Sequence, residues 1–280
     1  MILSLTFLSP IFLFTNRIVV VWKVTPLFAE WISSPDHNPL FAHGLLGPSS
    51  LVIELGCGIS ALVGLLLAPR ISRMILTDQD YVAKLVEQNI AENEVNHDAT
   101  HNPNKSPPPP LAKAARSSAA PSKGKARPPH PVPAPARHHR QGSQAPIHFS
   151  TLDWETDVPT SALTLSSPGE SKSFDVVVAC DCIYNEALID PFVSTCADVC
   201  RLRSAEVEDD PGSSLEPCVC IVAQQLRDPD VFEAWLTRFA EPFDTYRVPD
   251  ELLIEGLQSE NSGFVVHLGV LKGAVPPRIQ

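Results

Sequence analysis

Two glycines and a carboxylate lie at the end of an apolar run in LVIELGCGIS, residues 51–60. Gly56 and Gly58 carry no side chain, so a ligand can approach the backbone of this turn closely. The pattern Gly56-x-Gly58-x-x-Ala61 fits the dinucleotide-binding fingerprint, and Asp78 lies twenty residues past Gly58, at the end of the next strand-like run. An acidic side chain at that place binds ribose hydroxyls. These residues therefore predict a site for a ligand that contains a ribose.

The carboxylate of Glu54 discriminates between ribose-containing ligands. It stands just before the first glycine, where a negative charge would repel a pyrophosphate but suits a cationic ligand. S-adenosylmethionine contains a ribose and no phosphate, so Glu54 favours this cofactor over NAD. An NAD-dependent oxidoreductase stays open as the alternative enzyme, and a non-catalytic S-adenosylmethionine-binding module stays open as a third interpretation.

A second polar pair, Asp181 and Tyr184, follows the apolar run FDVVVACD at residues 174–181. If a helical turn begins there, the spacing of three residues directs both side chains to one side. A carboxylate can orient an incoming ammonium group, and a phenol can accept a further hydrogen bond. The pair therefore indicates a catalytic site for an amine acceptor. The alternative is that Asp181 only caps the helix that follows.

The elements that must position these residues alternate between strand and helix. Apolar runs predict strands at residues 51–55, 73–77, 147–152, 174–181 and 218–225, with helices at 59–67, 81–93, 186–203 and 229–240. Two further strands, around 243–248 and 263–271, have no obvious helix between them and suggest an antiparallel hairpin at the sheet edge. The pattern predicts an α/β protein with a doubly wound, mostly parallel, seven-stranded sheet, whose ligands bind at the carboxyl ends of the strands.

One long stretch departs from this alternation. Residues 97–146 are dominated by Pro, Ala, Ser and basic residues, and they have too few apolar side chains to offset the entropy of ordering. We expect a disordered insertion there, within a domain that spans residues 18–280. Residues 99–145 hold eight Lys or Arg and no acid, which leaves thirteen basic and thirty-two acidic residues elsewhere. That acidic remainder argues against nucleic acid as a direct partner and favours a basic protein.

The apolar N-terminus and the cysteines bear on location. Residues 1–17 lack the cationic region and cleavage site of a signal peptide, and their apolar run is too short to span a bilayer. We expect an irregular apolar N-terminus and no membrane association. The seven cysteines lack CxxC or histidine partners, so we interpret them as buried small hydrophobes in a reducing compartment rather than as metal ligands. These features predict a cytoplasmic protein without a bound metal, and we expect a monomer.

Five segments together resemble the seven-strand protein-lysine methyltransferases, in particular the fungal ribosomal lysine N-methyltransferase 5 branch. They are WKVTPLFAEW, VIELGCGISALVGL, ILTDQDYV, LDWE and DVVVACDCIYNEALIDPFV, and the resemblance covers about residues 20–95 and 147–272. The D-x-x-Y motif formed by Asp181 and Tyr184 marks this group more specifically than the glycine turn does. The N-terminus and the basic insertion have no counterpart in the pattern.

The resemblance implies a Rossmann-like class I methyltransferase fold with S-adenosylmethionine as cofactor, and transfer of a methyl group to a lysine of a basic protein, expected to be a ribosomal protein. It also implies roles for individual residues. Gly56, Cys57 and Gly58 would pass under the methionine part of the cofactor, Asp78 would hold the ribose, Trp154 would flank the adenine, Ala179 would line the pocket from the fourth strand, and Trp22 would close over the cofactor from the N-terminal side.

Two departures from related patterns bear on these roles. The family's glycine shortly before the tryptophan is replaced in NRIVVVW, so a core aromatic anchor stays open as the alternative role of Trp22. The Asn-Pro-Pro-Tyr run of enzymes that methylate amide and adenine nitrogens is absent from the sequence after the fourth strand, where DCIY stands instead. That difference favours an aliphatic amine as the acceptor.

Overall fold

The computed structural model describes residues 11–14, 17–20, 22–36, 38–101, 147–209 and 215–274. The strands are β1 (Ile11–Phe14), β2 (Arg17–Val20), β3 (Leu51–Leu55), β4 (Arg73–Asp78), β5 (Ile147–Thr151), β6 (Val176–Cys180), β7 (Val219–Gln225), β8 (Phe243–Arg247) and β9 (Phe264–Leu271). The helices are α1 (Val24–Ser33), α2 (Pro39–Ala42), α3 (Leu62–Leu67), α4 (Ala83–His101), α5 (Ile189–Asp209), α6 (Pro229–Phe239) and α7 (Ser259–Ser262). Strands β3 to β9 form one sheet in the order β5-β4-β3-β6-β7-β9-β8.

This sheet confirms the predicted α/β fold class. Neighbouring strands from β5 through β7 pair in parallel, and β3 and β6 are buried along their whole length. Parallel strands with helices on both faces need apolar side chains on both sides, which is why these two strands read as unbroken apolar runs. The reversal of strand order at β3 and β6 is the place where such sheets bind ligands.

The last two strands form the expected antiparallel pair at the sheet edge. β9 is antiparallel to both of its neighbours and lies between β7 and β8, with Leu268 opposite Ile221 on one side and Tyr246 on the other. β9 is mostly buried, whereas only the first residue of β8 is buried. The more apolar strand therefore occupies the inner position, and the polar strand FDTYR forms the exposed edge.

Two apolar cores cover the two faces of the sheet. Helices α1, α3 and α4 pack on one face, and α5 and α6 pack on the other. Helix α1 was missed from the sequence, although WKVTPLFAEW was part of the family resemblance. Its Phe28 and Trp31 are fully buried, and the indole N–H of Trp31 donates to the Leu252 carbonyl at 2.8 Å. These contacts anchor the N-terminal side of the site to the C-terminal part of the chain.

Two predicted irregular segments are partly regular. β1 and β2 pair antiparallel, with Ile11 opposite Val20, where an irregular N-terminus over residues 1–17 was expected. Helix α4 continues to His101, so residues 97–101 of the expected insertion are helical. The remaining part of that expected insertion, 102–146, lies outside the described residues, as do residues 1–10.

In the described parts of the chain, none of the helices combines the length and the apolar character needed to cross a membrane.

Candidate active site

The glycine turn after β3 is held by backbone contacts to β4. The N–H groups of Gly56 and Cys57 both donate to the Thr77 carbonyl, at 2.9 and 3.0 Å. Gly56 has a φ of +70°, and a Cβ at this position would lie 2.8 Å from the Cys182 sulfur and 3.1 Å from the Trp154 ring. Both the backbone conformation and the lack of space therefore require glycine here. The turn brings main-chain atoms to the carboxyl edge of the sheet.

Asp78 connects this turn to the end of β4. Its Oδ2 accepts a hydrogen bond from the Gly58 N–H at 2.8 Å, and its Oδ1 accepts from the Gln79 N–H at 2.7 Å. Gly58 also has a positive φ, +60°, but a Cβ there would meet no described atom within 4 Å. Asp78 thus fixes the turn while its half-buried carboxylate remains beside an open space.

That space is a cavity of about 420 Å³ at the carboxyl ends of β3, β4 and β6. The structure brings nine of the ten residues proposed from the sequence around it. These nine are Trp22, Glu54, Gly56, Cys57, Gly58, Asp78, Trp154, Asp181 and Tyr184. The lining also includes residues that sequence reasoning missed, namely Thr25, Ile59, Ser60, Gln79, Tyr81, Val82, Leu152, Cys180, Cys182 and Leu188.

Ala179 is the exception, because the described lining of the cavity does not include it. Ala179 pairs with Leu55 in the β3–β6 register, and both side chains face the core formed with α5 and α6. Successive side chains of a strand point to opposite faces, so its neighbour Cys180 lines the cavity instead. The expected contact from β6, the fourth strand of the sequence pattern, is therefore made by Cys180 and not by Ala179. The strand was identified correctly, but which of its side chains face the cavity depends on the strand register.

Glu54 places a carboxylate on the cavity wall. Its side chain is buried, and its Oε2 has no hydrogen-bond partner among the described residues. The pKa of Glu54 is raised from 4.5 to about 8, chiefly by burial and also by the negative charge of Asp78, against the lowering effect of a backbone hydrogen bond with Gly64. A buried carboxyl with a free oxygen is suited to a cationic ligand, because a positive charge would stabilise its ionised form.

The cysteines around the cavity are neutral thiols. Burial raises the pKa of Cys57, Cys180 and Cys182 well above the ordinary value. The Cys182 sulfur contacts the Leu55 carbonyl at 3.2 Å, so it packs against the glycine turn. A thiol that stays protonated is a poor nucleophile, which argues against covalent catalysis by these residues. Among the described residues, no group of three or more His, Cys, Asp or Glu is arranged to hold a metal ion.

Asp181 lies where β6 ends, and both of its carboxylate oxygens accept hydrogen bonds. Its φ is +59°, a left-handed conformation, and its N–H donates to the Ala223 carbonyl at 2.8 Å. The Arg227 guanidinium donates to both carboxylate oxygens, with 3.1 Å between Nη1 and Oδ1, and the Gln225 N–H donates to Oδ1 at 3.3 Å. Strain and burial of this kind concentrate at functional sites.

The alternative role of Asp181 as a helix cap does not fit the structure. The short helix Glu186–Leu188, which leads into α5, is capped by Asn185, whose side chain accepts from the Ala187 N–H at 3.0 Å. Asp181 instead faces the end of β7 through Gln225 and Arg227. Tyr184 is 67% exposed and lines both the main cavity and a cleft of about 60 Å³ beside it.

The two aromatic residues expected at the cofactor have different surroundings. Trp154 packs edge-on against Phe192, and its indole N–H is buried without a partner among the described residues. Trp22 is 51% exposed, which does not fit the alternative role of a core anchor. Its ring lies over the Arg227 guanidinium, 4.6 Å from the ring centre to Cζ. Trp154 thus forms an inner wall of the cavity, and Trp22 forms part of its rim.

The chain is similar to several known proteins. Ribosomal lysine N-methyltransferase 5 of Zygosaccharomyces rouxii is 28% identical over 78% of this chain and 63% of its own length. The chain thus spans less than two thirds of that relative. Ribosomal lysine N-methyltransferase 5 of Candida glabrata is 32% identical over 26% of this chain and 27% of its own length. The crystal structure of magnesium protoporphyrin IX methyltransferase from Synechocystis PCC 6803 with bound SAM aligns over 89% of this chain and 79% of its own, with a TM-score of 0.43 and 11% identity.

A sequence model of the lysine methyltransferases matches residues 17–104 and 136–207, which together make up more than half of the chain. The matched segments contain the glycine turn, the acidic end of β4 and the D-x-x-Y motif, which are the features that build the cavity. The chain therefore belongs to the lysine methyltransferase family.

Proposed function

We propose that this protein transfers a methyl group from S-adenosylmethionine to the side-chain nitrogen of a lysine in a basic protein, and that a ribosomal protein is its substrate. The observation that carries the proposal is the buried, unpartnered carboxyl oxygen of Glu54 beside the glycine turn, in a cavity that also contains Asp78 and Trp154. Membership of the lysine methyltransferase family and the similarity to ribosomal lysine N-methyltransferase 5 support the acceptor.

The residues of the cavity fit a cationic, ribose-containing cofactor. Gly56 and Gly58 keep side chains away from the turn, so the main chain can approach the methionine part of the cofactor. Glu54 would face its positive charge, and Asp78 is placed to accept from ribose hydroxyls, since both carboxyl groups line the cavity. Trp154 would flank the adenine, since it lines the same cavity. When bound, S-adenosylmethionine supplies an activated methyl group.

The acceptor side is the pair Asp181 and Tyr184. A lysine nitrogen must be aligned with the methyl group and must have lost its proton before it can form the new bond, so positioning and exclusion of water supply much of the rate. Asp181 has the charge to attract and align the incoming ammonium, and the exposed Tyr184 can accept a further hydrogen bond at the mouth of the cavity. The neutral thiols nearby take no part in proton transfer or covalent chemistry.

A basic substrate follows from the charge of the chain. Outside residues 99–145 the chain holds thirteen basic and thirty-two acidic residues, which attract a lysine-rich protein over long distances. A cytoplasmic location and a monomeric state are part of the same proposal. The seven cysteines support a reducing compartment, because all are buried and free.

The proposal is tested by cofactor binding and by methyl transfer to ribosomal proteins. Calorimetry with S-adenosylhomocysteine should give a binding signal, and NAD should give none, because a negatively charged pyrophosphate would find no cationic partner beside Glu54 and Asp78 in the described lining of the cavity. Isotope-labelled S-adenosylmethionine should then label a lysine in ribosomal proteins extracted from Candida glabrata, as located by mass spectrometry. Binding of NAD without binding of S-adenosylhomocysteine would favour an oxidoreductase instead. Cofactor binding without any labelled lysine would favour a non-catalytic module.

A further inference from the structure

Arg227 is paired with the carboxylate of Asp181, the group to which the acceptor lysine is assigned. Its two terminal nitrogens bond the two carboxylate oxygens of Asp181, in the side-by-side geometry that gives the strongest pairing between these groups. The Gln225 N–H adds a third donor at 3.3 Å. With these donors in place, most of the acceptor positions of the carboxylate are filled, so an incoming ammonium group must compete with Arg227.

Arg227 also lies at a boundary between two spaces. Asp181 and Trp22 line the main cavity, whereas Arg227 lines the small cleft beside it, and Tyr184 lines both. The Trp22 ring covers the guanidinium at 4.6 Å, so the cation is held between a ring and a carboxylate. Arg227 therefore lies between the cleft that it lines and the Asp181 carboxylate of the main cavity.

The exposure of the two partners differs, which determines which one can move. The Asp181 side chain is 1% exposed, and the Arg227 side chain is 32% exposed. A buried carboxylate that loses its cation is strongly destabilised, so Asp181 requires a positive partner at all times. Arg227 can turn towards solvent at a lower cost, because its guanidinium recovers hydration there. One cation can therefore replace another at Asp181, but Asp181 cannot be left without any.

The cleft has a polar group ready for a ligand. Gln224 is 3% exposed, and its Nε2 has no hydrogen-bond partner among the described residues. It lines the cleft together with Tyr184 and Phe232, next to Arg227. A buried amide donor without a partner is costly, and a carbonyl from a bound chain would satisfy it. Aromatic walls with one free donor suit the stem of a lysine and an adjoining peptide group.

We propose that Arg227 is a resident cation that fills the acceptor position at Asp181, and that the lysine of the substrate reaches Asp181 through the cleft by displacing it. The inference rests on the proposed function and adds a specificity-determining residue to it. Only a cationic side chain can replace Arg227, so neutral acceptors are excluded by the cost of leaving Asp181 unpaired. Arg227 thus selects for lysine before any methyl transfer occurs.

The test uses n-butylammonium, which has the charge and stem of a lysine side chain, as a probe that needs no methyl transfer. Its affinity for the full chain is measured by NMR titration or calorimetry. Arg227→Met should bind it about tenfold more tightly than the unchanged protein, because the competing guanidinium is gone. Arg238→Met is the matched control, since Arg238 is similarly exposed at 29% and pairs with Asp190 on the surface. This control should leave the affinity unchanged.

Two further variants make the result decisive. Adding Asp181→Asn to Arg227→Met should abolish the gain, because the probe would lose its anionic partner. Arg227→Lys offers a single ammonium in place of two parallel donors. Its affinity for the probe should therefore lie between that of the unchanged protein and that of Arg227→Met. If Arg227→Met shows no cooperative unfolding and is therefore not folded, Arg227→Lys is compared with the unchanged protein instead. Equal probe affinity in the unchanged protein and in the folded Arg227 variant would overturn the inference, and so would a gain that survives Asp181→Asn.

Methyl transfer to the extracted ribosomal proteins separates the two proposals. Arg227→Lys should lower the KM for the protein substrate while kcat changes little, which a purely structural role would not produce. A complete lack of transfer in every variant would remove the proposed function, and the butylammonium result would still decide whether Arg227 occupies a cation site.

Discussion

The donor half and the acceptor half of the cavity are built in opposite ways. The donor half consists of Glu54, Gly56, Gly58 and Asp78, from the adjacent strands β3 and β4, and it is held mainly by backbone hydrogen bonds. One oxygen of its buried carboxyl, Glu54 Oε2, is left without a partner among the described residues. The acceptor half joins distant parts of the chain, and its Asp181 carboxylate is engaged by Arg227 and the Gln225 N–H.

The difference means that the cavity would bind its two cationic ligands, the cofactor and the substrate lysine, in different ways. On the donor side a free carboxyl is ready for the charge of the cofactor, so binding needs no rearrangement. On the acceptor side an internal cation must leave first, so binding depends on exchange. We therefore expect substitutions in the donor half to change cofactor affinity, and substitutions in the acceptor half to change methyl transfer while cofactor affinity is retained.

The largest effect is expected from Gly56→Ala. A Cβ at Gly56 would meet the Cys182 sulfur at 2.8 Å on a backbone with a φ of +70°. The turn must shift, and we expect the affinity for S-adenosylhomocysteine to fall by more than about 10²-fold in calorimetry. Gly58→Ala is the matched control, because its Cβ would meet open space and only the positive φ is unfavourable. Equal losses in the two variants would show that backbone conformation, not space, governs the turn.

The next effect concerns the acceptor half alone. Asp181→Asn keeps the size of the side chain but removes the charge that aligns lysine, so the single-turnover rate of methyl transfer should fall by about 10²-fold. The affinity for S-adenosylhomocysteine should be retained, because the proposed cofactor contacts lie on the donor half.

A matched control for this variant is Asn185→Ala, which removes the actual helix cap. It should lower the melting temperature modestly, by the equivalent of about 1 kcal/mol, and leave transfer intact. Full transfer activity in Asp181→Asn would remove Asp181 from the active site.

Asp78→Ala should have a smaller but clear effect on cofactor affinity. The carboxylate would lose its expected bonds to the ribose, and the Gly58 N–H would lose its acceptor at 2.8 Å. We expect a loss of about 1.5–3 kcal/mol in the binding free energy of S-adenosylhomocysteine, measured by calorimetry. Asp80→Ala serves as the control, because Asp80 is an exposed carboxylate two residues further along the chain. An unchanged affinity in Asp78→Ala would contradict the role of this carboxylate.

The last expected effect is a pH dependence of stability that comes from Glu54. Its pKa is about 8 in the folded protein against an ordinary 4.5, so between these values the folded protein retains a proton that the unfolded chain has lost. The free energy of unfolding should therefore fall as pH rises from 4.5 to 8, by about 1.4 kcal/mol per unit from this group. Glu54→Gln should remove that contribution in denaturation measured across this range. A pH dependence that is identical in both proteins would show that Glu54 is ionised without a ligand.

Several features of the site could be predicted because their causes are local. Gly56 and Gly58 adopt positive φ values that the residue type itself indicates, and Asp78 follows from its distance along the chain. The orientation of Ala179 could not be predicted from the sequence. Which side chains of β6 point to the cavity depends on how β6 pairs with β3, where Leu55 lies opposite Ala179. Helix α1 was also missed, because its burial becomes visible only when it packs on the sheet.

The sequence by itself determined the α/β class, the strands of the seven-stranded sheet and the glycine turn with Asp78, since apolar runs and glycine conformations act over a few neighbouring residues. Tertiary structure alone decided that β9 lies between β7 and β8, and that Arg227 pairs with Asp181 under Trp22. These contacts join segments that are far apart in the chain. Their partners are chosen by burial and by the need of a buried carboxylate for a cation, and neither exists before the chain has folded.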